Sequence, residues 1–176
     1  MRDELFELPG KINDVLCESG YVTEVAARFL DAKHFVFLGR GINYPTALEG
    51  ALKLKEVSYV HATGYAAGEM KHGPLALVDK DLPVVFVNPK TSVYEKSLNN
   101  IEEVRARGGI IISVASSGDL KMEMLSDYVF KMPEVNELLT PLVSIIPLQL
   151  FAYNVAVGRG CDVDRPRNLA KSVTVE

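Results

Sequence analysis

Residues 34–58 read HFVFLGRGINYPTALEGALKLKEVS, and the reading of this stretch decides the fold. His34 to Leu38 is an apolar run of strand length, Gly39-Arg40-Gly41 is a turn, and the following helix holds Pro45 in its first turn, where a missing N–H is tolerated. Strand, glycine turn and helix together open a βα unit. At roughly 100° per residue, Glu49, Lys53 and Glu56 fall within a helical arc of about 60°, while Ala47, Leu48, Ala51 and Leu54 spread over the opposite side. One face thus carries acid, base and acid. The same spacings are ordinary on a solvated helix surface, where each pair contributes a few tenths of a kcal/mol. Beyond the helix, Gly64, Gly68, Gly73 and Pro74 bracket Lys71-His72 in a segment too glycine-rich to continue it. A histidine on such a turn can approach a ligand.

Toward the amino terminus, Leu5 to Leu30 reads as two helical pieces broken at Glu18-Ser19-Gly20, with Ile12, Val15 and Leu16 on one stripe and Val22, Val25, Ala26 and Phe29 on another. Toward the carboxyl terminus, Tyr59 to Ala62 reads as a short strand, Leu82 to Val87 as a clear one, and Ser92 to Arg107 as a charged amphipathic helix ended by Gly108-Gly109. Ile110 to Ala115 is continuously apolar, as a strand covered on both faces must be, and Asp127 to Met132 stops before Pro133. A long apolar helix spans about 138–157. Strands alternate with helices, and neither a hairpin signal nor an internal repeat is present. The pattern predicts an α/β fold, a three-layer α-β-α sandwich on a parallel, five-stranded sheet of flavodoxin-like type. Residues 1–31 form a helical arm, 32–161 the domain, and 162–176 a tail with Asp164, Arg165, Arg167 and Lys171 around Pro166.

A chain of 176 residues with 48% hydrophobic and 24% charged content suits one well-packed domain. A net charge of -4, a pI near 5.5 and scattered basic residues argue against nucleic acid or an anionic membrane as partner. The opening MRDELFELPGKIND has charges where a signal peptide needs an apolar core, and no run is expected to reach the roughly 18 apolar residues of a membrane span. The protein reads as cytoplasmic. Cys17 and Cys161 lack ligand spacing and are expected to be reduced thiols, and His34 and His61 flank strands as structural residues.

The glycine turn is not a dinucleotide fingerprint, since Tyr44 stands where the third glycine belongs. GxxxxGK[ST], GxSxG and HExxH are all absent, and no cofactor or metal is called for.

The segment from Phe37 to Leu77 and the terminal PRNLAKSVTVE resemble the isomerase half of the glucosamine-6-phosphate synthases over nearly all of the chain. That family joins a glutaminase to two tandem sugar isomerase (SIS) domains and converts fructose 6-phosphate and glutamine to glucosamine 6-phosphate and glutamate. The resemblance implies that this chain is the second SIS domain with its tail. It also implies roles: Glu56 moves the proton between C1 and C2 of the sugar with Lys53 assisting, His72 assists ring opening in the neighbouring subunit's site, Lys171 forms an imine with the ketose, and Ala170 lies beside the sugar. A homodimer follows from the shared His72, and fructose 6-phosphate or glucosamine 6-phosphate is the implied ligand. Glutaminase and first SIS domain are then expected in the full-length protein.

The residue types suit the chemistry, because aldose-ketose interconversion needs a base that removes a proton from one carbon and returns it to the next. Two features of the family are missing from the stretch: the glutaminase with its amino-terminal cysteine, and the Ser/Thr-rich loop that holds the sugar phosphate. In its place stands Asn88-Pro89-Lys90-Thr91-Ser92-Val93, with only two hydroxyls. The competing readings are a non-catalytic SIS module that binds sugar phosphate and a purely structural dimerisation domain.

Overall fold

The computed structural model describes residues 2–169. Five strands, β1 (His34–Gly39), β2 (His61–Ala66), β3 (Pro83–Val87), β4 (Ile110–Ser116) and β5 (Tyr128–Met132), pair in parallel in the order β2-β1-β3-β4-β5. Alternate side chains of a strand point to opposite faces, so strands that are apolar at every position need cover on both. Phe35, Phe37, Val85, Ile112 and Phe130 enter one core, while Val36, Leu38, Val84, Phe86 and Ile111 enter the other.

The first core is closed by α1 (Arg2–Cys17), α2 (Ser19–Ala27), α3 (Asn43–Ser58) and α6 (Thr140–Gly158). Against the second lie α4 (Tyr94–Arg105), α5 (Leu120–Leu125) and the 3-10 turn Ala67–His72, through residues such as Ile101, Met122 and Met70. The predicted three-layer parallel architecture is therefore the observed one. Val15, Val22, Val25 and Ala26 of the first two helices sit in the same core as α3 and α6. Thr23 Oγ1 donates to Asn154 Oδ1 at 3.0 Å, joining α2 to α6 across 131 residues of sequence.

The GRG turn has a packing reason. A Cβ on Gly39 would lie 2.2 Å from the Asn43 carbonyl oxygen, so only glycine lets β1 pass so close to the start of α3, and Gly41 adopts φ +56°. Asn43, buried, accepts a hydrogen bond from Thr140 Oγ1 at 3.1 Å and so ties α3 to α6.

Four expectations need correction. The strand expected over 59–62 runs from His61 to Ala66, because Tyr59 takes a left-handed conformation (φ 60°) that closes α3. Its sequence HATGYA is weakly apolar because Gly64 packs against the backbone of Leu48, where a Cβ would be 3.0 Å from the Cα. Leu48, placed on the buried side of α3, is 41% exposed. A short helix, α5, was not expected; Asp119 caps it by accepting from the Met122 N–H at 3.1 Å. Finally, a membrane-length apolar stretch does exist, since 137–158 passes by length and composition, yet half of it is buried in the fold as the core helix α6.

Candidate functional site

Lys53 Nζ lies 2.5 Å from Glu56 Oε2 and 3.7 Å from Glu49 Oε1, so the predicted acid-base-acid face exists. The side chains of Lys53 and Glu56 are 32% and 28% exposed, a partial shelter that a free surface pair lacks. The hydrogen bond to Glu56 raises the Lys53 pKa, with burial opposing it. A raised lysine pKa keeps the ammonium charged through neutral pH, and the contact is lost only as alkali carries the pH past that raised value. Lys53 is thus a fixed cation and hydrogen-bond donor, and Glu56 is the member of the pair with a free lone pair for proton transfer.

Because β1 and β2 are parallel, α3 runs back against the strand direction. Lys53 and Glu56 lie in its second half, away from the carboxyl ends of the strands, where ligands of an open α/β sheet ordinarily bind. Lys53 instead lines a cavity of about 210 Å³ with Val57, Gln149, Tyr153 and Asp164. The tail docks at the end of the same helix: Arg167 N–H donates to Tyr59 Oη at 2.8 Å, and its guanidinium sits 4.2 Å over the Tyr59 ring. Ala170 and Lys171 fall outside the described residues.

His72 is not brought to this face. It ends the turn Ala67–His72, with Nδ1 2.7 Å from Glu69 Oε2 and its side chain 70% exposed. Ala67 and Met70 anchor that turn in the α4-side core, and Lys71 pairs with Glu103 of α4 at 2.7 Å. The segment therefore belongs to the layer across the sheet from the core that α3 covers.

The carboxyl ends of β1 and β3, where the strand order reverses, carry a different set. Lys90 N–H donates to Ser116 Oγ at 3.0 Å and Lys90 Nζ pairs with Glu134 at 3.0 Å. Ser92 gives both its N–H and its hydroxyl to the carboxylate of Glu137, at 3.0 and 2.7 Å. Thr91 Oγ1 is buried with no hydrogen-bond partner among the described residues. Next to it, Tyr94 donates to Asp119 Oδ1 at 2.9 Å; burial first, then Asp119, pushes its phenol pKa well up. Sequence reasoning missed Glu134 and Glu137, which lie 44 and 45 residues from their partners with no local signal.

Elsewhere, a cavity of about 570 Å³ opens at the amino-terminal ends of β1 and β2 and contains neither Lys53, Glu56 nor His72. His34 and His61, both exposed there, place their Nδ1 atoms 3.4 Å apart. Among the described residues no group of three or more His, Cys, Asp or Glu is placed to hold a metal, and Cys17 and Cys161 are free.

Comparison with known proteins gives this geometry a context. The SIS domain family model matches residues 28–159. Glutamine-fructose-6-phosphate aminotransferase (isomerizing) of Thermus thermophilus is 56% identical over 173 residues, which are 98% of this chain and 29% of that protein. The protein of the same name from Chlorobaculum tepidum is 53% identical, again over 98% of this chain, and 28% of its own length is covered. The chain thus spans under a third of the curated relatives it matches. Among solved structures, the C-terminal domain of glucosamine-fructose-6-phosphate aminotransferase from Francisella tularensis superposes with a TM-score of 0.86 at 41% identity, over 93% of this chain and 46% of that one. With a family match that takes in all five strands and relatives identical at more than half of their aligned positions, the chain belongs to the SIS domain family.

Proposed function

We propose that this chain is the second isomerase domain of a glutamine-fructose-6-phosphate aminotransferase, a cytoplasmic enzyme that makes glucosamine 6-phosphate from fructose 6-phosphate and glutamine. The Lys53–Glu56 pair carries the reading: a half-sheltered carboxylate held by a permanent cation, on a face remote from the domain's own switch point. In this role Glu56 takes the proton from C1 of the sugar imine and returns it to C2, while Lys53 fixes its position and charge. Lys171 supplies the amine that attacks the ketose carbonyl, losing water to form the imine, and Ala170 lies beside the sugar. The sugar phosphate is held by the preceding SIS domain, and the glutaminase supplies ammonia.

The separation of His72 from α3 supports its assignment to a neighbouring subunit's site, and hence a homodimer, because within one chain the two groups sit in different layers. A non-catalytic module is the second reading, favoured by the carboxylate that already fills the donors of the loop after β3.

The experiment uses the full-length enzyme, where substrate binds. Glu56→Gln is close in size but is no base; borohydride should still trap fructose 6-phosphate on Lys171, while exchange of the sugar's C1 hydrogen with solvent falls by about 10²-fold or more. Lys171→Arg should lose trapping, since a guanidinium stays protonated. Near-normal exchange in Glu56→Gln would return that residue to an ordinary helix surface.

A further inference from the structure

In the parallel pair of β1 with β2, His34 stands directly opposite His61, so both imidazoles leave the sheet on one face at the first rung of the ladder. By alternation that is the face of Val36 and Leu38, across the sheet from α3. The rings border the cavity of about 570 Å³, together with the carboxylates of Asp31, Asp79 and Asp81 and the ammonium of Lys33. Their Nδ1 atoms are 3.4 Å apart, and neither ring has another hydrogen-bond partner among the described residues. The ring centroids are 5.4 Å apart, well beyond the nitrogen separation, so each ring turns its Nδ1 edge toward the other. As a hydrogen bond this spacing is long, since donors such as N–H sit about 2.7–3.2 Å from their acceptors. As a chelate bite it fits: two imidazole nitrogens, each about 2.05 Å from one ion and at a tetrahedral angle, stand about 3.3 Å apart.

We propose that His34 and His61 chelate one divalent transition-metal ion of zinc type through their Nδ1 atoms, at the cavity on the amino-terminal ends of β1 and β2. In the tautomer with the proton on Nε2, each Nδ1 offers its lone pair to the gap, and an ion there turns two facing lone pairs into two bonds. Imidazole nitrogen suits zinc, copper or nickel, whereas magnesium and calcium take oxygen. No third His, Cys, Asp or Glu among the described residues is placed as a ligand, so the site is an open one, its remaining positions filled by water or by a donor atom of a small molecule in the cavity. The three carboxylates around the cavity outnumber its one lysine and give it the negative field that favours a dication. A bound ion also ties the edge strand β2 to β1 through side chains. This inference is independent of the proton-transfer role of Glu56, which lies across the sheet, and its test is read without turnover.

The test titrates zinc chloride, in a buffer that does not bind metal, into the whole chain labelled with nitrogen-15, and follows the imidazole nitrogens in long-range proton–nitrogen spectra. In the wild type the Nδ1 signals of His34 and His61 should shift together along one saturating curve, and magnesium chloride at the same concentrations should not move them. In His34→Ala and in His61→Ala the remaining imidazole should bind zinc about tenfold or more weakly, because it has lost its linked partner. His34→Asn and His61→Asn serve if the alanine variants do not fold, and should behave alike. Two histidines that merely share a hydrogen bond would give no saturable zinc shift at the two Nδ1 atoms. That result, or a zinc affinity that survives loss of either histidine, would overturn the proposal.

Discussion

Tyr94 illustrates how a single side chain links burial, hydrogen bonding and pH. Its hydroxyl donates to Asp119 2.9 Å away, and both burial and the carboxylate disfavour the phenolate, so its pKa is raised. The sign follows: the protonated phenol is favoured in the folded chain, so the stabilisation is complete below the unfolded value of about 10 and is lost as the pH climbs through the raised one. Of the seven tyrosines, one should therefore ionise last in a spectrophotometric titration, and Tyr94→Phe should remove that late step. The substitution should also cost about 1–3 kcal/mol in urea unfolding at neutral pH, because a charge-assisted bond is lost next to a buried Asp119 Oδ2 that has no partner among the described residues. An unchanged titration curve would deny the contact. Residues differ in how far they could be read from sequence. Lys53 and Glu56 announced themselves through spacing within one helix, whereas Tyr94–Asp119 and Ser92–Glu137 join elements far apart in the chain and needed the fold to bring them together.

At the scale of elements, the strands that sequence revealed are those buried on both faces, such as β3 and β4, whose continuous valine and isoleucine leave no other reading. The edge strand β2 was placed too early because close approach of α3 demands small residues there, and small residues carry no hydrophobic period. The same close approach explains the glycine turn without any nucleotide. It predicts unequal glycines: Gly39→Ala should destabilise by about 3 kcal/mol or more, since its Cβ would meet backbone rather than a movable side chain. Gly41→Ala should cost only about 1–2 kcal/mol, the penalty of a left-handed φ with ordinary van der Waals contact around it. Thermal melts of the two variants check this, and equal losses would contradict the packing explanation.

On the scale of the whole molecule, α3 and α6 carry exposed apolar side chains, of which Tyr153 shares a cavity with Lys53. Leu48 and Leu52 of α3 are each 41% exposed, and Leu142, Tyr153 and Val157 of α6 are 50%, 51% and 49% exposed. Singly these are unremarkable, but beside a half-sheltered ion pair they fit a face that another domain or subunit covers. Sedimentation of this chain at micromolar concentration should show a reversible dimer that persists over a range of salt, and a monomer throughout would count against that assembly. The sequence suggested the dimer through resemblance and through Lys55, which stands among Ala51, Leu48 and Leu54 rather than on the polar face and is exposed on α3.

The bond from Thr23 to Asn154 bears on how the protein is made. The first two helices leave the ribosome before the helix they rest on, so their apolar stripes must wait for more than a hundred further residues to be translated. During that interval Val22, Val25 and Phe29 have no native cover from α6, and a nascent chain stalled before residue 140 should be held by chaperones or cut by proteases rather than fold.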